Sequence, residues 1–153
     1  MDLEFYDELA KRFGAPGDFA QSYVIAHEVG HHIQSISGIS DSVRQAQSQD
    51  PRNKNYYSVR QELQADCFAG VWAKSANDRR LPDGSRIIEI GDIEEGLAAA
   101  AAVGDDRIQE QAGMTVDPHS WTHGSAQQRQ QWFTIGFDSG DPEQCDTFGT
   151  TTP

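Results

Sequence analysis

Basic residues are scarce in this chain: 12 lysines and arginines stand against 24 aspartates and glutamates in 153 residues, a formal net charge of -12. That balance disfavours non-specific attraction to nucleic acid or to anionic lipid, so no nucleic-acid partner is expected, and a cation is the charged partner that composition favours. Long apolar runs are missing as well. No stretch of 18 or more apolar residues occurs, and the N-terminal MDLEFYDELAKRF is acidic and amphipathic, without the basic and apolar regions of a signal peptide. The expectation is that this chain does not itself insert into a membrane. Only two cysteines are present, Cys67 and Cys145, compatible with one disulfide or with two buried thiols. There is no internal repeat and no sustained alternation of apolar and polar residues; RIIEI at 86–90 is the best of weak strand candidates. The length suits one core, so residues 1–153 read as a single, mainly α domain with little or no β-sheet.

What is present is helical periodicity. Leu3, Phe5, Tyr6, Leu9 and Phe13 predict a short helix over 2–12, broken by GAPGD. Asp18 and Gln21 fit a capping box that opens a second helix, running to about Ser37 and stopped by Gly38. The polar stretch 40–55 reads as a loop or a frayed, exposed helix, a candidate rim for a site. A third helix, about Tyr56 to Ala76, is expected to bury Val59, Leu63, Phe68, Val71 and Trp72, with NDRRLPDGSR turning the chain after it. A fourth is expected from Asp92, with Glu95 three residues on, to Gly104. Ser125 and Gln128 predict another capping box, opening a helix through Trp132 and Phe133 to about Phe137. SGDPEQCDTFGTTTP then reads as an extended tail.

The second helix carries the chemistry. His27-Glu28-Val29-Gly30-His31 has the form H-E-x-x-H. Residues four apart lie about 40° round a helix and about 6 Å along it, so two imidazoles converge on one ion. Glu28 then flanks that ion as a general base. The bland alternative is a half-exposed helix with satisfied histidines. His32 points roughly 100° from His31 and reads as a packing residue or a support to a ligand. A catalytic zinc needs a third protein ligand and one open position. Gln34 and Ser37 stand where the metzincin extension requires glycine and histidine, which excludes that branch. Glu62 and Asp66, one turn apart on the third helix, are carboxylates in an otherwise apolar context, where they need a cation or a donor. Glu62 suits the third ligand. Asp66 suits a partner that accepts a ligand histidine's ring N–H. Taken alone, the pair also reads as two surface acids on an amphipathic helix.

At these residues the chain resembles known proteins. H-E-x-x-H followed by Glu62-x-x-x-Asp66 is similar to the gluzincin arrangement, in which the first glutamate of the second helix ligates zinc. The strings GDFAQSYVIAHEVGHHIQ, RQELQADCFAGVWA, GDIEEGLAAAAAVGDDRIQ and THGSAQQRQQWF resemble the bacterial neutral zinc metallopeptidase family, over nearly the whole chain. The resemblance implies a zincin-like helical core, one catalytic zinc, a peptide or protein substrate, and an extracytoplasmic location, periplasmic or secreted. It also implies membrane association through an N-terminal anchor in a full-length form. That anchor is not in this sequence, and the family carries further sequence ahead of DLEFYDELAKRFGAPGDF, where zincins build the strand that holds substrate. An oxidising compartment in turn implies a Cys67–Cys145 disulfide. Thr122-His123-Gly124 followed by Arg129 is similar to a Thr-His-Pro and arginine of integral-membrane gluzincins, the heat-shock and prenyl-protein-processing groups. Gly124 here replaces the proline. By that resemblance His123 faces the zinc and stabilises the developing oxyanion, while Arg129 structures the site. Read from its own surroundings, His123 is equally a helix-entry histidine beside a capping serine. His119 has no such precedent.

The reading that follows is a zinc-dependent metalloendopeptidase, with zinc on His27, His31 and Glu62, Glu28 as general base and His123 as transition-state donor. Asp66 and Arg129 hold the ligands in place. A second reading keeps the zinc and drops the chemistry: an inactive peptide-binding or scaffold domain derived from a peptidase. A purely structural zinc site would need a fourth protein ligand, and Cys67 lies about 100° off the Asp66 face.

Overall fold

The computed structural model describes residues 18–89 and 91–150. Within them the chain forms six α-helices: α1 (Asp18–Ile36), α2 (Ile39–Gln49), α3 (Lys54–Asp78), α4 (Asp92–Ala102), α5 (Asp105–Gln111) and α6 (Ala126–Ser139). Short 3-10 turns occupy Pro51–Asn53, Pro118–Ser120 and Pro142–Gln144. Among the described residues there is no strand, only an isolated antiparallel bridge between Arg80 and Arg86. The fold is mainly α. The helix expected over 2–12 lies outside the described residues.

Helix α3 is the central element, packed along α6 on one side and α1 on another. Its innermost positions are small: Ala65, Ala69 and Ala73 have no exposed surface. Small side chains let neighbouring helix axes approach, and the large groups that fill the resulting core come from the partners, namely Phe19 and Tyr23 of α1 and Phe133 of α6. This corrects one sequence expectation. Trp72 is 44% exposed rather than buried, stacked on Phe19 at the rim, while Val59, Phe68 and Val71 are only partly buried. Periodicity located the α3 apolar face, but the alanines occupy its deepest line.

The α3–α6 contact is closest at Gly136, where an added Cβ would lie 1.9 Å from the carbonyl oxygen of Cys67. The nearest atoms, the carbonyl group of Cys67 and the amide nitrogen of Val71, are all backbone, so neither helix can yield locally. Gly136→Ala should therefore destabilise at or above the upper end of the roughly 1–3 kcal/mol that overpacking costs. Urea denaturation curves of the variant and the parent measure it; an unchanged midpoint would show that the helices are free to separate.

Several boundaries shift from those expected. Residues 39–49 are a helix, exposed along most of its length and burying Ser40 and Val43, so the frayed-helix alternative describes the stretch better than a loop. Gly38, in the left-handed conformation, ends one helix and starts the next. Asp92 is the first residue of α4 instead of its cap; its carboxylate accepts the Glu89 backbone N–H at 2.7 Å. Helix α5 was not indicated by periodicity, since DDRIQEQ offers Ile108 as its one large apolar group. Ser125 does cap α6 with a reciprocal box: its hydroxyl accepts from Gln128 N–H, and the Gln128 side chain accepts from Ser125 N–H.

The C-terminal stretch is not an extended tail. After the turn at Pro142–Gln144 it folds back on α3, where Cys145 is bonded to Cys67 with the two Cα atoms 5.6 Å apart. The Thr147 hydroxyl donates to the Arg60 carbonyl at 2.7 Å, and the Arg60 guanidinium donates to the Thr150 carbonyl at 2.7 Å. No helix among the described residues is long and apolar enough to cross a membrane.

Candidate metal centre

Where α1 crosses α3, Gly30 meets Ala65, and the close approach sets the imidazoles of one helix against the carboxylates of the other. His27 and His31 present edge-to-face rings with centroids 4.7 Å apart. Their Nε2 atoms both face Glu62, at 3.2 Å from His27 to Oε2 and 3.4 Å from His31 to Oε1. One ligand atom from each of the three residues can be chosen so that all lie within 4.8 Å of one another. Ligands about 2.0–2.1 Å from a tetrahedral zinc are separated by about 3.3 Å, and each imidazole–carboxylate separation, one to either Glu62 oxygen, is close to that edge.

The other ring nitrogens are engaged. His27 Nδ1–H donates to Asp66 Oδ1 at 2.8 Å, and His31 Nδ1 lies 2.9 Å from Gln34 Oε1. With both Nδ1 atoms used in this way, each Nε2 is left to face Glu62, as an N–H donor to the carboxylate without a cation and as a lone pair when one is bound. The donor set, two imidazoles and one carboxylate, is the chemistry of a three-ligand zinc site. Burial pushes His27 down, yet the charge and hydrogen bond of Asp66, aided by Glu62, bring it up to about 9. Burial also opposes ionisation of Glu62, but hydrogen bonds from the two histidines hold it well below the usual carboxylate range. An ionised, partly buried carboxylate aimed at two imidazoles is suited to share a cation with them.

Asp66 has no exposed surface, and its charge is met from several sides. Arg129 of α6 approaches side-on, with Nε 2.8 Å from Oδ2 and Nη2 3.0 Å from Oδ1. The Tyr23 hydroxyl donates to Oδ1 at 2.5 Å and accepts from Arg129 Nη2 at 3.2 Å. Arg129 Nη1 also donates to the Val103 carbonyl at 3.2 Å, fastening the end of α4 to the same cluster. Burial works against ionised Asp66, and the Arg129 guanidinium more than offsets it, holding the carboxyl at about 2. Tyr23 is a member of this cluster that motif reading missed; its position one turn before His27 is the available signal.

A cleft of about 310 Å3 opens over Glu62 and both histidines, with Glu28, His123 and Arg129 also on its walls and Val24, Val103 and Ile108 on its apolar side. Glu28 is exposed on this cleft. His32 is exposed as well, which corrects its reading as a packing residue. His119 sits in the Pro118–Ser120 turn, where its carbonyl accepts from Asn55.

His123 is positioned by Asp105, a residue that sequence reading did not single out. Asp105 Oδ2 accepts the backbone N–H groups of Thr122, His123 and Gly124 at 2.7, 2.7 and 3.1 Å, and its Oδ1 lies 3.1 Å from His123 Nδ1. The hydrogen bond to Asp105 raises the His123 pKa, against partial burial. Gly124 has φ +92 and donates its N–H, two properties that proline lacks. The loop before α6 is therefore built differently from a Thr-His-Pro turn.

The family described as "Putative neutral zinc metallopeptidase" matches residues 1–148. The chain is 55% identical over 150 residues to the uncharacterized protein YpfJ of Escherichia coli (strain K12), covering 97% of this chain and 50% of that protein. It is 47% identical over 153 residues to the uncharacterized protein Rv2575 of Mycobacterium tuberculosis (strain ATCC 25618 / H37Rv), covering 97% and 51%. This chain spans about half the length of these curated relatives. No solved structure matches it significantly. With a match over nearly its full length, the chain belongs to the neutral zinc metallopeptidase family.

Proposed function

We propose that this chain carries the catalytic centre of a zinc-dependent endopeptidase, with one zinc held by His27, His31 and Glu62. The observation that carries the reading is the orientation of the two imidazoles: both Nδ1 atoms are engaged, and both Nε2 atoms face one carboxylate at the spacing of a tetrahedral edge. When bound there, zinc lowers the pKa of a water and polarises a substrate carbonyl. Glu28, adjacent to His27 and exposed on the cleft, is placed to take the proton of the attacking water and return it to the leaving amine. Asp66, its charge met by Arg129 and by a hydrogen bond from Tyr23, holds the His27 ring in its tautomer. The substrate is a peptide or protein entering the open cleft. The Cys67–Cys145 disulfide supports an extracytoplasmic setting for this centre.

Elemental analysis and cleavage of a peptide library, on the parent and on Glu28→Gln, test the reading. About one zinc per chain is expected in both, with turnover reduced about 100-fold or more in the variant. Stoichiometric zinc with no cleavage of any peptide by the parent would instead identify an inactive peptide-binding domain.

His123 supplies the transition-state donor in this reading. Because Nδ1 is turned to Asp105, Nε2–H is available to the cleft only while the ring is protonated at both nitrogens. Replacing His123 by alanine should lower kcat about 100- to 1000-fold, with little change in KM or zinc content. Asp105→Asn lowers the His123 pKa toward its ordinary value, so the alkaline limb of the kcat profile should move to lower pH. A limb that stays in place would remove the Asp105–His123 pair from catalysis.

A further inference from the structure

Gln34 has no exposed surface, although an amide buried in a helix one turn beyond a metal-site histidine must satisfy all of its polar atoms from the protein. We propose that Gln34 is the positioning residue for His31, and that through Gln64 it makes the metal affinity of the site depend on the Cys67–Cys145 disulfide. The inference rests on His31 being a metal ligand.

The direction of every hydrogen bond in this chain of contacts is dictated by its ends. Gln34 Nε2 lies 2.7 Å from the Gln61 carbonyl oxygen, which can only accept, so this end of the amide is the NH2 group. The same NH2 donates to Gln64 Oε1 at 3.0 Å, and Gln64 Nε2 donates in turn to the Cys145 carbonyl at 2.9 Å. Two backbone carbonyls thus set the orientation of both glutamines. Gln34 Oε1 is left facing His31 Nδ1 at 2.9 Å, and it can only accept. His31 must therefore carry a proton on Nδ1, so that in the neutral ring that ligates a metal the lone pair is the Nε2 one directed at Glu62.

The two imidazoles are consequently held by different chemistry. His27 is held by a carboxylate backed by Arg129, a charged cluster within three helices. His31 is held by a neutral relay, in which Gln34 is anchored on the Gln61 carbonyl of α3 and, through Gln64, on the C-terminal segment. The disulfide bonds that segment to α3: Cys145 is 1% exposed and its carbonyl is the terminus of the relay. Reduction to two thiols, a two-electron, two-proton step driven by an external thiol or phosphine, breaks the covalent tie. Gln64 then loses a fixed acceptor, Gln34 keeps the Gln61 carbonyl but loses a fixed second partner, and the hold of its Oε1 on His31 Nδ1 loosens.

Zinc affinity measured by chelator competition, in oxidised and phosphine-reduced protein, tests this for the parent, Gln34→Leu and Gln34→Glu. Gln34→Leu should weaken zinc about 10- to 100-fold, as loss of a ligand's hydrogen-bond partner does, and Gln34→Glu should recover part of that because an acceptor is kept. Reduction should weaken zinc about 10-fold in the parent and add less than about 2-fold in Gln34→Leu, where the relay is already cut. Equal affinity of Gln34→Leu and the parent overturns the proposal, as does an equal effect of reduction in both. A parent that binds no zinc overturns both this and the metal reading; zinc binding indifferent to Gln34 overturns this alone. Should Gln34→Leu fail to fold, imidazole 15N spectra of the zinc-loaded parent decide. A His31 Nδ1–H signal that shifts on reduction of the disulfide upholds the proposal, and one that reduction leaves unchanged refutes it.

Discussion

Replacing Glu62 by alanine should remove bound zinc and abolish peptide hydrolysis together. With His27 and His31 alone the site retains two protein ligands, below the three that a catalytic zinc site uses. The loss is not confined to a bond count, because the Glu62 carboxylate is also the group that both Nε2 atoms face. Elemental analysis after dialysis against a weak chelator measures it, alongside turnover at saturating peptide. Helix content should be kept, since Glu62 is partly exposed and the α3 core line is alanine. Full zinc stoichiometry in Glu62→Ala would refute its place as a ligand.

The second large effect is on stability. Arg129→Leu leaves the fully buried Asp66 carboxylate without its guanidinium, and an uncompensated buried charge costs about 3–5 kcal/mol. For a chain of this size that corresponds to a fall in Tm of about 6–20 °C. The metal-free protein is the form to melt, so that zinc does not mask the change. Asp66→Asn in the Arg129→Leu background should restore part of the loss, because the orphaned charge is then gone. An unchanged Tm in Arg129→Leu would mean that Tyr23 and His27 suffice to hold the carboxylate.

Much of the candidate site was legible in the chain because its central motifs are local. His27, Glu28 and His31 are related by one helical turn, as are Glu62 and Asp66, and such relations follow from the α-helical repeat alone. The Ser125 box likewise needs only three residues of separation. The resemblance to a peptidase family rested on the same strings. The contacts of Tyr23 and of Gln64 with distant segments were not legible: Tyr23 and Asp66 are 43 residues apart, Arg129 and Tyr23 106, and Gln64 and Cys145 81. No periodicity reports such distances. Asp105 was invisible for the same reason, since its partners are the loop ahead of α6.

By itself, then, the sequence determined a mainly helical chain with an H-E-x-x-H helix, a carboxylate helix to face it and a capped final helix. Tertiary structure alone decided which side of α3 is deepest, that the C-terminal stretch folds back onto it, and how each imidazole is turned. The physical reason is that a helix is specified by neighbours in the chain. The tautomer of a histidine is specified by whatever acceptor the fold brings to its second nitrogen, here Asp66 for His27 and Gln34 for His31.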